Sequence, residues 1–200
     1  MGIRQGDLVT AFLSWLTAQV TYAISKFCRP DIIIVDSDVQ IIKSLLKDGD
    51  CLVTRLDYEL SNVFEGLFTG SFYGHAAIYL NGYIYESVTQ GVRKVSVEKF
   101  CYTKDGIGLC RLPGADWTPE QVEVMQSFCE NQLGDAYDYS LSWGIFKKWY
   151  CAKLVYFVWA EADPKDIGAI HVSEILSTEK VTPQDIWDSA VKIKTFGELN

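Results

Sequence analysis

Runs of β-branched and aromatic residues, separated by short turns, occupy most of the chain between residues 51 and 112. Such runs predict β-strands, here over residues 51–55, 76–80, 83–87, 91–95 and 108–112. The second and third strands are joined by Asn81-Gly82, a pair that favours a tight hairpin turn. Between the first two strands, residues 58–70 carry apolar positions at helical spacing and predict a helix or a loop. Successive strands with short turns indicate an antiparallel sheet.

Helical periodicity takes over beyond the sheet. Thr118 is a predicted N-cap, with Pro119 in the first turn, and this helix ends before Gly134. A second helix begins at Cys151, and a short final helix begins at Pro183. A run of strands followed by a run of helices predicts an α+β fold.

The N-terminal segment, residues 8–25, contains no charged residue. Its polar and apolar positions form opposing stripes at helical spacing, which predicts an amphipathic helix rather than a membrane-spanning one. Arg4 is the single positive charge before it, and no small-residue cleavage pattern follows, so a secretory signal has little support. Gly6 stands where a myristoylation motif requires Ser or Thr. We therefore expect a cytoplasmic protein.

We expect two parts in the chain. Residues 1–46 comprise the amphipathic helix and a linker, and residues 47–200 form one domain large enough to bury a core. Two alternatives for the N-terminal helix stay open at this point. It packs on its own domain or on a second copy of the chain, or it lies on a membrane surface.

Composition excludes several classes of function. The 200 residues include 18 basic and 26 acidic side chains, a formal charge of −8, with no Lys/Arg cluster. Nucleic acid is therefore not an expected partner. The six cysteines form no CxxC pair and there are only two histidines, so we expect neither a metal site nor a cofactor. Five cysteines are expected to be small buried side chains: Cys28, Cys51, Cys101, Cys110 and Cys129.

Cys151 differs from these five cysteines because it opens a predicted helix. A helix start presents unpaired N–H groups and the positive end of the helix dipole, and both favour thiolate over thiol. His75 lies in the strand-like run 74–80, which includes the second predicted strand, and Glu86 lies in the third, so the hairpin would bring a base next to a carboxylate that orients it. Each residue alone has an ordinary explanation, and the hypothesis depends on all three together. His171 is a competing candidate for the base.

Four motifs occur in an order that resembles a known family. They are residues 47–52 (KDGDCL), 74–79 (GHAAIY) with 85–87 (YES), 133–138 (LGDAYD) and 149–156 (WYCAKLVY). A fifth similar element, TPQDI, covers 182–186. The sequence resembles the circularly permuted branch of the NlpC-type papain-like superfamily, and within it the YiiX/YaeF-like cysteine peptidases. In that branch the histidine strand precedes the cysteine helix. Residues 1–46 have no counterpart in the resemblance.

The resemblance implies a permuted papain-like catalytic domain over residues 47–200, with an extra N-terminal helix. Cys151 would be the nucleophile, His75 the general base and Glu86 the third member. The backbone N–H of Cys151 would contribute to the oxyanion hole, and Tyr150 would shape that pocket. Ala152 departs from relatives that often carry Ser at its position.

The implied activity is hydrolysis of an amide or peptide bond, in a small peptide or acyl substrate, through an acyl-enzyme. Relatives with the same permuted core include lecithin retinol acyltransferase-like enzymes, so an acyltransferase or lipid thioesterase is the alternative. The aromatic residues Trp143, Phe146, Trp149 and Tyr150 would suit a lipid, although aromatic side chains more commonly belong to a core. A catalytically silent binding module is the third hypothesis, because fold alone does not fix function.

Overall fold

The computed structural model describes residues 34–55, 73–139, 147–163, 170, 172–175 and 178–197. Several sequence-based expectations lie outside these residues and stay predictions. They concern the helix over 8–25, the segment 58–70, Cys28, Trp143, Phe146 and His171. Within the described part, no helix is long and apolar enough to cross a membrane.

The centre of the structure is a six-stranded antiparallel sheet with the order β10-β5-β1-β2-β3-β4. Its strands are β1 (Cys51–Arg55), β2 (Tyr73–Leu80), β3 (Tyr83–Val88), β4 (Gly91–Ser96), β5 (Gly106–Arg111) and β10 (Val191–Gly197). Two small sheets lie beside it: the parallel pair β6 (Ala136–Tyr137) and β7 (Lys148–Trp149), and the antiparallel pair β8 (Ser173–Ile175) and β9 (Thr178–Lys180).

The described helices are α1 (Asp36–Leu45), α2 (Val97–Cys101), α3 (Pro119–Gln132), α4 (Cys151–Ala162) and α5 (Pro183–Ser189). Helices α3 and α5 begin with the same local signal. Thr118 and Thr182 are their N-caps, each accepts a hydrogen bond from the backbone N–H three residues later, and Pro follows at the first helical position. This arrangement satisfies N–H groups that would otherwise lack a partner.

Two buried apolar clusters cover the two faces of the sheet. On one face, Ala76, Ile78 and Leu80 of β2 belong to the cluster that also contains the apolar side of α4. On the other face, Ala77 belongs to the cluster that contains Ile42 of α1 and residues of α2. Side chains alternate between faces along a strand, so His75 is on the α2 face. The ring of His75 lies 6.3 Å from that of Phe100 in α2, which agrees with this assignment.

The mixed helix and antiparallel-sheet architecture confirms the predicted α+β class, and β1 agrees with its predicted range. Three differences have physical causes. Strand β2 begins at Tyr73, three residues before its predicted start. Its pairing with β1 continues to Tyr73 through a register shift between Thr54 and Arg55. Helix α2 was not predicted, and it is a five-residue helix capped by Ser96. Strand β10 was also missed, because its partner β5 is distant in sequence.

The N-terminal end of the described chain packs on this core. Val39 and Ile42 of α1 are completely buried against the sheet, together with Ile34 before the helix. The apolar positions recur at helical spacing and account for the burial of one helix face. The boundary expected between residues 46 and 47 therefore has a packed helix on its N-terminal side, and the division into two parts stays a prediction.

Candidate active site

A buried imidazole–carboxylate pair joins two neighbouring strands. Nε2 of His75 lies 2.7 Å from Oε2 of Glu86, and the two residues are 3% and 1% exposed. Because the bond engages Nε2, the other ring nitrogen, Nδ1, is the one that can exchange a proton with a third group. The structure therefore brings together two of the three residues that the sequence predicts for a triad.

The β2–β3 hairpin explains why these residues meet. Asn81 and Gly82 both have positive φ angles, 48° and 86°, as a two-residue hairpin turn of this kind requires. The turn sets the register in which Glu86 lies opposite Ala77. His75 is two residues before Ala77 on the same face of β2. Glu86 therefore reaches His75 diagonally, a distance that a long side chain spans.

Positive groups surround the carboxylate of Glu86. Burial alone would raise the pKa of Glu86, but the hydrogen bond with His75 and the charges of His75, Lys104 and Arg93 lower this pKa to about 2. Arg93 binds the other carboxylate oxygen, with Nε 2.8 Å and Nη2 2.7 Å from Oε1. Glu86 is therefore ionised throughout the neutral range and accepts hydrogen bonds on both of its oxygens.

Arg93 was not among the residues selected from the sequence. Its position could have been found from the turn between β3 and β4, where Val88 pairs with Gly91. A two-residue turn at that point places Glu86 directly opposite Arg93. Opposite charges at directly paired positions stabilise a sheet, and this pairing was the available signal.

Cys151 is the first residue of α4, as predicted, and is 1% exposed. The N-cap is Tyr150, whose side chain makes no capping hydrogen bond, and the first turn of the helix contains no acidic residue. Tyr150 itself is buried, and its hydroxyl oxygen accepts a 3.4 Å bond from the N–H of Val181. This helix start therefore lacks the threonine cap of α3 and α5, and the dipole favours negative charge there.

The chain immediately before α4 is held by several polar contacts. The carbonyl oxygen of Trp149 accepts hydrogen bonds from Oγ of Ser87, at 2.6 Å, and from the N–H of Asp138, at 3.0 Å. Nζ of Lys153 donates to the carbonyl oxygen of Lys148 at 3.0 Å and lies 3.5 Å from Oδ2 of Asp138. Burial lowers the pKa of Lys153, and the charge of Asp138 opposes that effect. These contacts fix the approach of the chain to the thiol.

Cys151 and His75 are on different faces of the sheet. Cys151 belongs to the cluster of the α4 face together with Ala76, whereas His75 points to the α2 face. The β2–β3 ladder, however, ends at the Ala77–Glu86 pair, although β2 continues to Tyr73. Ser87 of β3 binds the chain entering α4 instead. The N-terminus of α4 thus approaches the sheet where β2 and β3 cease to pair.

The other cysteines with described positions are free, buried thiols, as expected from the sequence: Cys51, Cys101, Cys110 and Cys129. Burial raises the pKa of the Cys51 and Cys129 thiols well above the ordinary value and that of Cys101 to about 12. Among the described residues, no group of three or more His, Cys, Asp or Glu side chains is placed to hold a metal ion. We therefore assign no metal ligands.

An antiparallel sheet with a buried histidine–carboxylate pair, packed against a helix that begins at a cysteine, agrees with the papain-like fold expected of a cysteine hydrolase. The chain belongs to the permuted papain-like amidase family, YaeF/YiiX (C92), whose sequence pattern matches residues 45–192. It is therefore an enzyme of the amidase and cysteine-peptidase kind, and the expected membership of the permuted branch is confirmed.

A solved structure shares the fold. It is described as metalloprotein YiiX from Escherichia coli O157:H7, and it matches with a TM-score of 0.62 over 76% of this chain and 98% of that one. The sequence identity is 18%, so the similarity concerns the fold alone. No curated protein sequence matches the chain.

Proposed function

We propose that this enzyme hydrolyses an amide or peptide bond through an acyl-enzyme on Cys151, with His75 as the general base and Glu86 as its orienting partner. One observation carries the proposal: the 2.7 Å bond between Nε2 of His75 and Oε2 of Glu86, two side chains that are 3% and 1% exposed. A catalytic cysteine needs a base held in one orientation and tautomer, and this bond supplies both.

In the first half of the reaction, Nδ1 of His75 takes the thiol proton and the sulfur attacks the carbonyl carbon. The resulting oxyanion is stabilised by the backbone N–H of Cys151 at the helix start. The imidazolium then gives its proton to the amine as the carbon–nitrogen bond breaks. The amine leaves, and a thioester remains on Cys151.

In the second half, His75 removes a proton from water, and the hydroxide attacks the thioester carbonyl. The carbon–sulfur bond breaks, the carboxylic acid leaves, and the proton on His75 returns to the thiolate. Glu86 stays ionised throughout and stabilises the imidazolium that forms in each half. Tyr150, the residue before the thiol, shapes the pocket in this proposal through its buried ring.

The place where α4 meets the sheet supports a contact between the thiol and the imidazole. On its β1 side His75 pairs with Thr54, whereas the ladder on its β3 side has already ended at Ala77. Beyond the Ala77–Glu86 pair β2 and β3 are no longer paired, and the chain leading to Cys151 is bonded to Ser87 of β3. We infer that the thiol reaches Nδ1 of His75 at this end of the ladder.

The experiment that tests the proposal is the rate of Cys151 alkylation by iodoacetamide across pH, read residue by residue by peptide mass spectrometry. Cys51, Cys101, Cys110 and Cys129 are all completely buried and Cys151 is 1% exposed, so these thiols are matched controls for accessibility. A faster reaction at Cys151 therefore reports a lowered thiol pKa rather than greater exposure.

The expected result is fast labelling of Cys151 below pH 7 that is lost in His75→Ala. Labelling at the rate of the other cysteines, with no effect of His75→Ala, would mean that the protein keeps the fold as a binding module without the chemistry. His171→Gln should leave the rate unchanged, and a loss comparable to that of His75→Ala would assign the base to His171 instead.

A second measurement separates the amidase from the lipid acyltransferase. The protein is incubated with small aminoacyl amides and, separately, with phospholipid vesicles, and the mass of the Cys151 peptide is recorded. Turnover of an amide supports the proposal, whereas a long-chain acyl adduct with no amide turnover supports the acyltransferase. Trp149 and Tyr150 are buried in the core, so neither supplies an exposed surface for a lipid chain.

A further inference from the structure

We propose that Arg93 is a positioning residue for the reaction, which holds the Glu86 carboxylate so that only one of its oxygens is available to His75. The inference rests on the proposed roles of His75 and Glu86. It starts from a division of contacts: Arg93 binds Oε1 through Nε and Nη2, and His75 binds Oε2.

Strand register places the three side chains in one row. Arg93 in β4 lies directly opposite Glu86 in β3, and Glu86 extends diagonally to His75 in β2. Arg93 is 40% exposed, whereas Glu86 and His75 are almost fully buried. The row thus connects a guanidinium at the edge of the sheet to the base inside it.

Two donors on Oε1 restrict the rotation of the carboxylate. A buried carboxylate with a single partner can turn about its terminal torsion, which moves both oxygens out of line with that partner. With Arg93 in place, the carboxylate plane is held with Oε2 in line with Nε2 of His75, and this bond keeps the proton of neutral His75 on Nε2. Nδ1 is then the unprotonated nitrogen that can accept a proton from a thiol.

The charged groups that act on Glu86 from the elements around it are His75 on β2, Arg93 on β4 and Lys104 after α2. Lys104 lies beside α2, with Nζ 5.5 Å from the centre of the Phe100 ring. The next residue on β4, Lys94, instead pairs with Glu130 of α3 at 2.7 Å, on the opposite face of the sheet. Lys94 is therefore a matched control, because it offers the same charge on the same strand without contact to Glu86.

The test compares Arg93→Gln and Arg93→Lys with Lys94→Gln and the unchanged protein. Two measurements are made by NMR and need no substrate. The side-chain carboxyl carbon of Glu86 gives its titration midpoint, and the ring nitrogens of His75 give its tautomer. Assignment is direct because the chain has only two histidines, and His171→Gln identifies the second. The third measurement is the pH profile of Cys151 alkylation.

In Arg93→Gln we expect the Glu86 midpoint to rise by about one pH unit or more, since a close opposite charge lowers a carboxyl pKa by about that amount. We also expect His75 to become a mixture of tautomers and Cys151 alkylation near pH 6 to slow by about tenfold. Arg93→Lys keeps the charge without the paired donors, so each of the three readouts should lie between that of the unchanged protein and that of Arg93→Gln. Lys94→Gln should change none of the three.

An unchanged tautomer and alkylation profile in a folded Arg93→Gln protein would overturn the inference, even if the melting temperature fell. If Arg93→Gln does not fold, Arg93→Lys decides the question by the same readouts. Failure of the proposed function is distinguishable from this outcome. In that case His75→Ala would leave alkylation unchanged, whereas failure of the Arg93 inference alone leaves the His75 effect intact.

Discussion

Glu86 lies opposite Ala77 in the strand register, but its side chain bonds to His75, two residues away from Ala77 along β2. This diagonal contact places the imidazole at the point where β2 and β3 stop pairing. A directly opposite pair would sit inside the ladder, where both neighbouring strands restrict access. The offset therefore places His75 beyond the last pair of the ladder, and in the proposed mechanism its Nδ1 faces Cys151 from there.

Replacing Glu86 with Gln should slow the reaction strongly while keeping the shape of the side chain. An amide can present its NH2 group to His75, which favours the wrong tautomer, and a comparable change in a serine protease triad costs about 10⁴-fold in kcat. We expect Cys151 alkylation near pH 6 to fall by at least about tenfold. Glu130→Gln is the control, since this carboxylate pairs with Lys94 and Tyr85 on the opposite face of the sheet. Equal rates in the two variants would contradict the role of Glu86.

Acid should remove a specific part of the stability. The folded-state pKa of Glu86 is lowered from the ordinary 4.5 to about 2, because the bond to His75 and the nearby cations outweigh burial. The unfolded chain therefore binds more protons between these values, and the contribution of Glu86 to stability is lost as pH falls from about 5 to about 2. Its size is on the order of 3 kcal/mol. The free energies of unfolding of the unchanged protein and of Glu86→Gln, measured with guanidinium, should converge at acid pH. A difference that stays constant across pH would refute this.

Arg111 should matter for stability because it is paired with a fully buried carboxylate. Its Nε and Nη2 lie 2.6 Å and 2.8 Å from the two oxygens of Asp50, which is 0% exposed. Arg111→Met leaves that charge without its main partner and should cost about 3–5 kcal/mol of unfolding free energy. Lys43→Met breaks the exposed pair with Glu98 and should cost less than about 1 kcal/mol. Similar losses in both variants would show that burial does not govern the Asp50 pair.

Gly108 is expected to tolerate a side chain poorly, although its φ lies outside the left-handed region. A Cβ atom there would lie 2.6 Å from Cζ3 of Trp187 and 3.0 Å from Cγ2 of Val53. Gly108→Ala should therefore destabilise the protein by about 1–3 kcal/mol through overpacking. Trp187→Phe removes the atom nearest to the new methyl group, so the double variant should regain part of the loss. Chemical unfolding of the two single variants and the double variant gives this coupling, and strict additivity would count against it.

Local signals decided which elements could be predicted from the sequence. The Asn81-Gly82 turn, the Thr118 and Thr182 caps and the β-branched and aromatic runs of β1 to β4 each act over a few residues, and the structure has these elements within three residues of the predicted bounds. Strand β10 was missed because its exposed, lysine-containing pattern has no turn linking it to β5. Its pairing depends on contacts between distant segments, which local propensity does not encode.

The candidate site, too, could be predicted from the sequence only where local signals determine it. The position of Cys151 at a helix start and the pairing of His75 with Glu86 follow from the helix pattern and the hairpin, and both were predicted. The contact of Arg93 with Glu86 required the register of a second hairpin. Strand alternation places His75 on the α2 face, whereas the contact proposed between His75 and Cys151 depends on where β2 and β3 cease to pair. Strand alternation alone does not show where two strands separate.

The order of the elements has a consequence for synthesis on the ribosome. The β2–β3 hairpin, with its imidazole and carboxylate, leaves the ribosome well before Cys151, and β10 follows later still. A domain generally folds as a unit, once its segments have all been made. A nascent chain that ends before residue 151 therefore carries the proposed base and its partner without the proposed nucleophile, and it cannot form an acyl-enzyme on Cys151.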